Sequence, residues 1–219
     1  MGKICETVAQ DLVSMDAVKN KAPDICAVDQ ALTIARTAYR ASCGKGTFCR
    51  DGLCQLCRVV EEVAQDRGSV EDLELLQELC AAIVTAGDCQ LSTAAAGLVL
   101  QSLESHWEEW REHITRRRCA ALVCAPFCHV YIDPGLCTGC GQCLAAAPKG
   151  AVAGGQGLIH VVIDDRALKT PGFFQSCPAA AIKKCGPIQP PLPEGPVPVG
   201  SFTGGARRRR RGGAPAAEQ

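Results

Sequence analysis

Apolar residues recur at helical spacing through residues 43–116. Leucine, valine and isoleucine return every three or four positions there, which is typical of helices that bury one face. Ser69 with Asp72 has the form of a capping box and predicts a helix start. A third helix is predicted from 92 to 116. The apolar positions of the three stretches are Leu53, Leu56, Val60 and Val63; Val70, Leu73, Leu76, Leu79 and Ile83; and Leu100, Leu103, Trp107, Trp110 and Ile114.

The pattern changes after residue 116. Short β-type runs at 130–132 and 159–163 alternate with glycine-rich turns and cysteine clusters, whereas the chain end is rich in proline and glycine. We therefore expect an α+β fold in which a small helical bundle precedes a ferredoxin-like domain. The predicted regions are an N-terminal helical segment (1–42), a helical bundle (43–116), the ferredoxin-type domain (117–185) and a disordered Pro/Gly/Arg-rich tail (186–219).

Composition narrows the chemistry. The chain has 219 residues with 16 Cys, and its 23 basic and 23 acidic residues balance. The basic run Arg207–Arg211 lies in the tail and leaves the body slightly acidic, which argues against a nucleic-acid-binding domain. No apolar run predicts a membrane span, and the start has no export signal, so we expect a reducing cytoplasm. Dense cysteines in that compartment favour metal or cluster ligation over disulfides.

The strongest chemical signal is the run Cys137, Cys140 and Cys143 with a remote Cys177-Pro178. Three thiolates at this spacing wrap one corner of a cubane, and the fourth comes from a distant Cys-Pro pair. Ala147 stands where a fourth Cys of the run would ligate another cluster, and the second loop has no triplet. The sequence therefore predicts one [4Fe–4S] cluster on Cys137, Cys140, Cys143 and Cys177. A zinc site remains the alternative. The stretch resembles the two-cluster bacterial ferredoxins with one cluster lost.

A second constellation is Ser42-Cys43-Gly44, Cys49-Arg50 and Gly52, followed by Cys89 in the turn Ala86–Cys89. It resembles the iron–sulfur loop of the NADH-binding flavoprotein subunit of complex I and of the flavin subunits of NAD-linked formate dehydrogenases and multimeric [FeFe] hydrogenases. The resemblance covers roughly residues 40–185 and implies a [4Fe–4S] cluster on Cys43, Cys49 and Cys89.

Two departures qualify this resemblance. Gly46 stands where the family has its second loop cysteine, so the set is one ligand short. Cys54, or alternatively Cys57, would supply the fourth bond; otherwise the ligand is not a cysteine, the cluster is [3Fe–4S], or the cysteines are buried free thiols. The family's FMN and NADH residues have no counterpart, and no glycine-rich nucleotide motif occurs, so we expect no FMN or NAD site in this chain.

His113, Cys119, Cys124 and Cys128 form a third candidate, because one imidazole and three thiolates are an ordinary zinc set. The alternative for His113 is a solvated residue at a helix C-terminus. We interpret His129 and His160 as surface residues and Cys80 as core.

No catalytic dyad or triad is evident in the sequence. The primary hypothesis is an iron–sulfur electron-transfer subunit that relays single electrons between a flavin or redox partner and another subunit of a larger oxidoreductase complex. The alternative is a redox-silent, zinc-stapled assembly subunit. A weaker third hypothesis is a redox sensor with Cys54 and Cys57 as a reactive pair.

Overall fold

The computed structural model describes residues 7–11, 18, 21–165, 167 and 170–204 of the chain. About half of these residues are helical, and the strands form two small sheets, which confirms the predicted α+β class. The chain divides into two compact units, Met1–Val130 with Lys184–Ile188 and Tyr131–Lys183 with Gln189–Gln219.

The first unit is built from helices that share one hydrophobic core. Its main helices are α1 (Ala27–Ala41), a π-helical segment (Phe48–Gly52) that runs directly into α2 (Leu53–Ala64), α3 (Val70–Ala86), α4 (Gln90–Ser105) and α5 (Trp107–Thr115). Helix α1 packs on α2 and α4, and α3 packs along α4. The predicted core positions Leu53, Leu56, Val60 and Val63 are all buried, because their spacing places them on one side of α2.

The predicted capping box is present at the start of α3. The Ser69 backbone N–H donates to Asp72 Oδ2 at 2.6 Å, and the Ser69 side chain accepts from the helix in return. Two otherwise unpaired helix donors are thereby satisfied. Cys80, predicted as core, is fully buried in the same helix.

The predicted single helix over 92–116 is two helices. His106 separates α4 from α5, with φ −131° and ψ 34°, outside the helical range. Its Nε2 lies 2.9 Å from the Val18 carbonyl oxygen, so the side chain is held by a segment remote in sequence. The hydrophobic spacing continues across the break, which is why periodicity alone did not reveal it.

The remaining strands and short helices surround the ferredoxin-type cysteines Cys137, Cys140, Cys143 and Cys177. The elements are β1 (His129–Ile132), α6 (Gln142–Ala146), β2 (Val152–Ala153), β3 (Val161–Val162) and β4 (Ile182–Cys185). Strand β1 pairs with β4, and β2 pairs antiparallel with β3 so that Val152 lies opposite Val162. The predicted strand at 130–132 is β1, whereas the predicted strand at 159–163 is reduced to β3.

Part of the predicted disordered tail is ordered. The Ile159 N–H donates to the Val197 carbonyl at 2.7 Å, and the Val199 N–H donates to the Gly157 carbonyl at 3.1 Å. Backbone hydrogen bonds of this kind do not depend on a pattern of side chains. The composition of the tail, rich in proline and glycine, therefore did not predict them. The Arg207–Arg211 run lies outside the described residues. Among the described residues, no helix is long and apolar enough to cross a membrane.

Candidate metal centres

In the second unit, a tight loop carries the first three cysteines of the ferredoxin-type set. The Cys137 N–H donates to the Asp133 carbonyl at 3.0 Å, which closes the turn after β1. Gly139 has φ +70°, and a Cβ there would meet the Gly157 backbone at 2.8 Å, so only glycine fits. The loop therefore curls as its glycines predict and delivers Cys143 to the first turn of α6.

The structure brings the fourth cysteine to the same place. Burial, together with the nearby thiols of Cys137, Cys140 and Cys177, raises the pKa of Cys143 to about 11. Cys177 follows a 3-10 turn, Phe174–Ser176, and its sulfur accepts a hydrogen bond from the Ala181 N–H at 3.3 Å. Helix α6, which carries Cys143, packs against this turn, so the fold brings Cys177 close to the loop of the other three cysteines, as the donor set of a cubane requires.

His160 also belongs to this locus. It is 1% exposed, and its Nδ1 lies 3.5 Å from Cys137 Sγ. Its Nε2 is buried without a hydrogen-bond partner, and burial lowers the pKa of the ring. The interpretation of His160 as a surface residue was therefore wrong: a Cβ on Gly154 would lie 2.2 Å from the imidazole, so this glycine makes room for the ring.

The lost half of the ferredoxin pattern is filled by apolar side chains. Counting back from Cys177 by the cluster spacing reaches Phe173, Thr170 and Ala167, and of these Phe173 and Ala167 are fully buried. Phe173 also packs edge-on against Phe174, with ring centroids 5.7 Å apart. Core side chains therefore occupy two positions where a second cluster would need thiolates.

The first unit contains a cavity of about 230 Å³ lined by Cys43, Cys49 and Cys89, together with Gly46. Burial raises the pKa of Cys49, the Gly44 backbone opposes this, and the neighbouring Cys89 thiol adds to the rise. Cys89 is the N-cap of α4. Because helix N-termini carry partial positive charge, this location suits an anionic cluster. The three cysteines that the resemblance implies as ligands thus all line one cavity.

The proposed fourth ligand does not reach this cavity. Cys54 hydrogen-bonds with the Tyr39 side chain and raises its pKa. Cys57 is buried near Glu61 and Arg36, and burial raises its pKa. Neither cysteine lines the cavity. Both lie on the side of α2 that packs against α1, so the expectation that either completes the set is not met in this structure.

Four other residues of the first unit form a compact group. The ligand atoms of Cys26, His113, Cys119 and Cys124 all lie within 4.8 Å of one another, and all four residues are buried. Zn–S bonds of about 2.3 Å place tetrahedral thiolates roughly 3.8 Å apart, so the group has the size of a single-ion site. Cys26 Sγ lies 3.3 Å from His113 Nε2 and 3.7 Å from Cys124 Sγ.

Cys26 takes the place expected for Cys128. The Cys128 thiol instead donates to the Cys124 carbonyl at 3.0 Å. Cys26 lies at the N-cap of α1, far from His113 in sequence, so no local spacing could have linked the two. The solvated alternative for His113 is wrong, since the ring is fully buried.

Charge and geometry in this group suit a cation. His113 Nδ1 lies 2.7 Å from the Glu109 carbonyl, which fixes Nδ1–H as the donor and turns Nε2 toward the cysteines. Burial opposes the charged ring, but hydrogen bonds with Cys119 and Cys26 raise the pKa of His113 to about 10. Hydrogen bonding with Cys124 lowers the pKa of Cys119. The thiolate of Cys119 is therefore favoured, whereas hydrogen bonding with Cys119 raises the pKa values of Cys26 and Cys124.

Glu109 joins this group to the start of α1. Its Oε1 accepts from the Ala27 N–H at 3.0 Å, and its Oε2 pairs with Lys21 Nζ at 2.9 Å. Cys26 itself makes no side-chain capping bond, so a carboxylate from α5 caps α1 instead. The same residue therefore holds Cys26 and, through its carbonyl, His113.

The part of the chain that is similar to known proteins includes most of the helices of the first unit. Residues 29–113 match the family described as NADH-ubiquinone oxidoreductase-F iron–sulfur binding region. The NADP-reducing hydrogenase subunit HndC of Solidesulfovibrio fructosivorans is 29% identical over 131 residues, which cover 60% of this chain and 27% of that protein.

Two other relatives are components of NADH-quinone oxidoreductases. The F subunit of the Streptomyces coelicolor NADH-quinone oxidoreductase is 36% identical over 78 residues, covering 36% of this chain and 17% of that protein. The F 2 subunit of the Rhizobium meliloti NADH-quinone oxidoreductase is 35% identical over 94 residues, covering 43% and 22%. The chain thus spans about a quarter or less of the length of these curated relatives. The matched residues 29–113 contain Cys43, Cys49 and Cys89, so these three cysteines lie in the part of the chain that is similar to the NADH-ubiquinone oxidoreductase-F iron–sulfur binding region.

Proposed function

We propose that this chain is an electron-transfer module of a larger oxidoreductase complex, relaying single electrons between a flavin or other redox partner and another subunit. The observation that carries the proposal is the tight loop that holds Cys137, Cys140 and Cys143, together with the packing of α6 against the turn that precedes Cys177. The relatives are subunits of NADH-quinone oxidoreductases and of an NADP-reducing hydrogenase, which supports a partner within such a complex.

A [4Fe–4S] cluster on these sulfurs would accept and release one electron at a time. The chain's own part is to hold the ligands, exclude water and set the potential. Cys137 and Cys143 are buried, whereas Cys140 is exposed and marks the side of the locus open to solvent. The Ala181 N–H and the His160 ring contact two of the four sulfurs. Such contacts stabilise the more negative, reduced state of a cluster.

A second cluster on Cys43, Cys49 and Cys89 would give the chain two electron-carrying sites. The shared cavity and the position of Cys89 at a helix N-terminus support this assignment. The similarity of residues 29–113 to an iron–sulfur binding region also supports it.

The group at Cys26 is proposed to hold zinc, which would staple the N-terminus of α1 to α5 and the following loop. Its compactness favours one ion over a cubane, because bridging sulfides hold the ligands of a cluster farther apart. This observation also supports the alternative function, a redox-silent subunit that is held together by zinc. Both functions include the zinc; they differ in whether iron is present.

Anaerobic purification with iron, sulfide and zinc counted per chain separates the two functions. The electron-transfer proposal expects a brown protein whose visible band bleaches with dithionite, whereas a colourless zinc protein would overturn it. The variant Cys177→Ser should lose the iron of one cluster. Cys185→Ser is the matched control, because Cys185 Sγ lies 3.8 Å from the His129 carbonyl oxygen, in the β1–β4 pair. Full retention of iron in Cys177→Ser would refute the ligand assignment.

A further inference from the structure

The cavity at Cys43, Cys49 and Cys89 offers three thiols to a cofactor that has four irons. Each iron of a cubane takes one external ligand in addition to its sulfides. Neither Cys54 nor Cys57 is among the residues that line the cavity, so the neighbouring cysteines of α2 do not supply the fourth ligand.

Gly46 lines this cavity, and its backbone does not require glycine. It is absent from the glycines with positive φ, unlike Gly44 at +68°. A Cβ built on Gly46 would meet the Cys49 Cβ at 3.9 Å, which is ordinary contact, and nothing else within 4 Å. The backbone of Gly46 and the space beside it would therefore accept the Cβ of a cysteine. The missing thiolate is not the by-product of a tight turn.

The other polar residues that line the cavity do not replace a thiolate in kind. Lys45 and Asp88 lie at its edge, and Thr47 and Ser92 contribute hydroxyl groups. Ser92 Oγ already donates to the Cys89 carbonyl at 2.8 Å. Cluster irons prefer soft sulfur donors, and the cavity is open to solvent beside exposed Cys43.

We propose that the cluster held by Cys43, Cys49 and Cys89 has one iron, the one facing Gly46, without a protein thiolate, and that this iron binds an exchangeable small soft anion such as a thiolate or cyanide. The inference rests on the proposed function, because it requires that this site holds a cluster. It adds a ligand-binding site to a chain otherwise understood as an electron carrier.

The test uses the full chain, anaerobically reconstituted, and compares it with Gly46→Cys. Potassium cyanide and 2-mercaptoethanol are added separately to the reduced proteins, and electron paramagnetic resonance spectra are recorded. We expect each addition to change the spectrum of one cluster in the original chain and to change nothing in Gly46→Cys. The cluster on Cys137, Cys140, Cys143 and Cys177 has four thiolates and serves as the internal control.

Three results would overturn the inference. If the original chain holds the cluster and neither anion changes its spectrum, a protein group already binds the fourth iron. If the spectrum of Asp88→Ala then responds to the anions, the Asp88 carboxylate is that ligand. A [3Fe–4S] signal that persists after ferrous iron is added would show that no fourth iron is held. If neither the original chain nor Gly46→Cys contains a second cluster, the proposed function fails at this site. An intact, anion-insensitive cluster in the original chain defeats only the inference.

Discussion

His160 Nδ1 and Cys137 Sγ lie 3.5 Å apart in a locus where the histidine is almost fully buried. A sulfur that ligates iron carries no proton, so this contact needs the proton on Nδ1. The bare Nε2 is then the nitrogen that lacks a partner in the structure. With iron bound, the ring would therefore act as a neutral donor to Cys137, and its position would define one side of the proposed cluster site.

Replacing this donor should change the potential of one cluster. His160→Phe keeps an aromatic ring of similar size but donates nothing to Cys137. We expect a more negative midpoint potential for the ferredoxin-type cluster, because the reduced state loses a stabilising hydrogen bond. A redox titration followed by electron paramagnetic resonance measures it.

The control for this titration is His129→Asn, which alters a histidine at the start of β1, outside the cysteine locus. It should leave the potential unchanged. An unchanged potential in His160→Phe, with the cluster fully loaded, would contradict a tuning role for the ring.

Zinc binding should depend on Cys26 and not on Cys128. Cys26→Ser removes a sulfur from the compact group and should abolish stoichiometric zinc, together with stability derived from the metal. Cys128→Ser removes only a thiol that donates to a backbone carbonyl, so zinc should be retained. Metal analysis by mass spectrometry measures both variants. The reverse pattern would restore the ligand set predicted from sequence spacing.

Glu109 should contribute to stability through the start of α1. Glu109→Ala removes the acceptor of the Ala27 N–H and the partner of Lys21, whose side chain is only 14% exposed. We expect a loss of about 1–3 kcal/mol in the free energy of unfolding, since a partly buried cation loses its partner. Denaturant titration measures this loss.

Glu108→Ala is the matched control on the same helix, because its partner Arg111 is exposed. Exposed pairs of this kind contribute about 0–1 kcal/mol. Equal losses in the two variants would show that the Glu109 contacts add nothing specific.

The Asp133–Lys183 pair should make stability in the second unit depend on acid. The hydrogen bond from Lys183, 2.7 Å away, holds the pKa of Asp133 below its usual range. A depressed carboxyl pKa stabilises the folded state above the unfolded value of about 3.9, and the contribution is lost as pH falls through the folded value. Asp133→Asn should flatten this decline between about pH 5 and pH 2. Thermal melts across that range would show it, and parallel profiles would exclude the contribution.

Local spacing was sufficient for most of the helices and for the tight loop that carries Cys137, Cys140 and Cys143. Helix α2 buries the residues that its period predicts, and Ser69 with Asp72 starts α3 as expected. Cys137, Cys140 and Cys143 lie within seven consecutive residues, and Gly139 and Gly141 between them allow the tight loop that positions them. The hydrophobic spacing predicted one helix over 92–116. It missed the break at His106 because the contact of this side chain with the Val18 carbonyl comes from a remote segment and not from the local sequence.

The sequence by itself determined which segments are helical and which cysteines lie in cluster-type runs, since both depend on neighbours in the chain. Only the tertiary structure decided that Cys26 joins His113, that His160 turns inward to Cys137, and that Cys54 faces Tyr39 away from the cavity at Gly46. These contacts join separate elements. They depend on how helices and loops pack against one another, and the spacing of residues along a single element does not determine that packing.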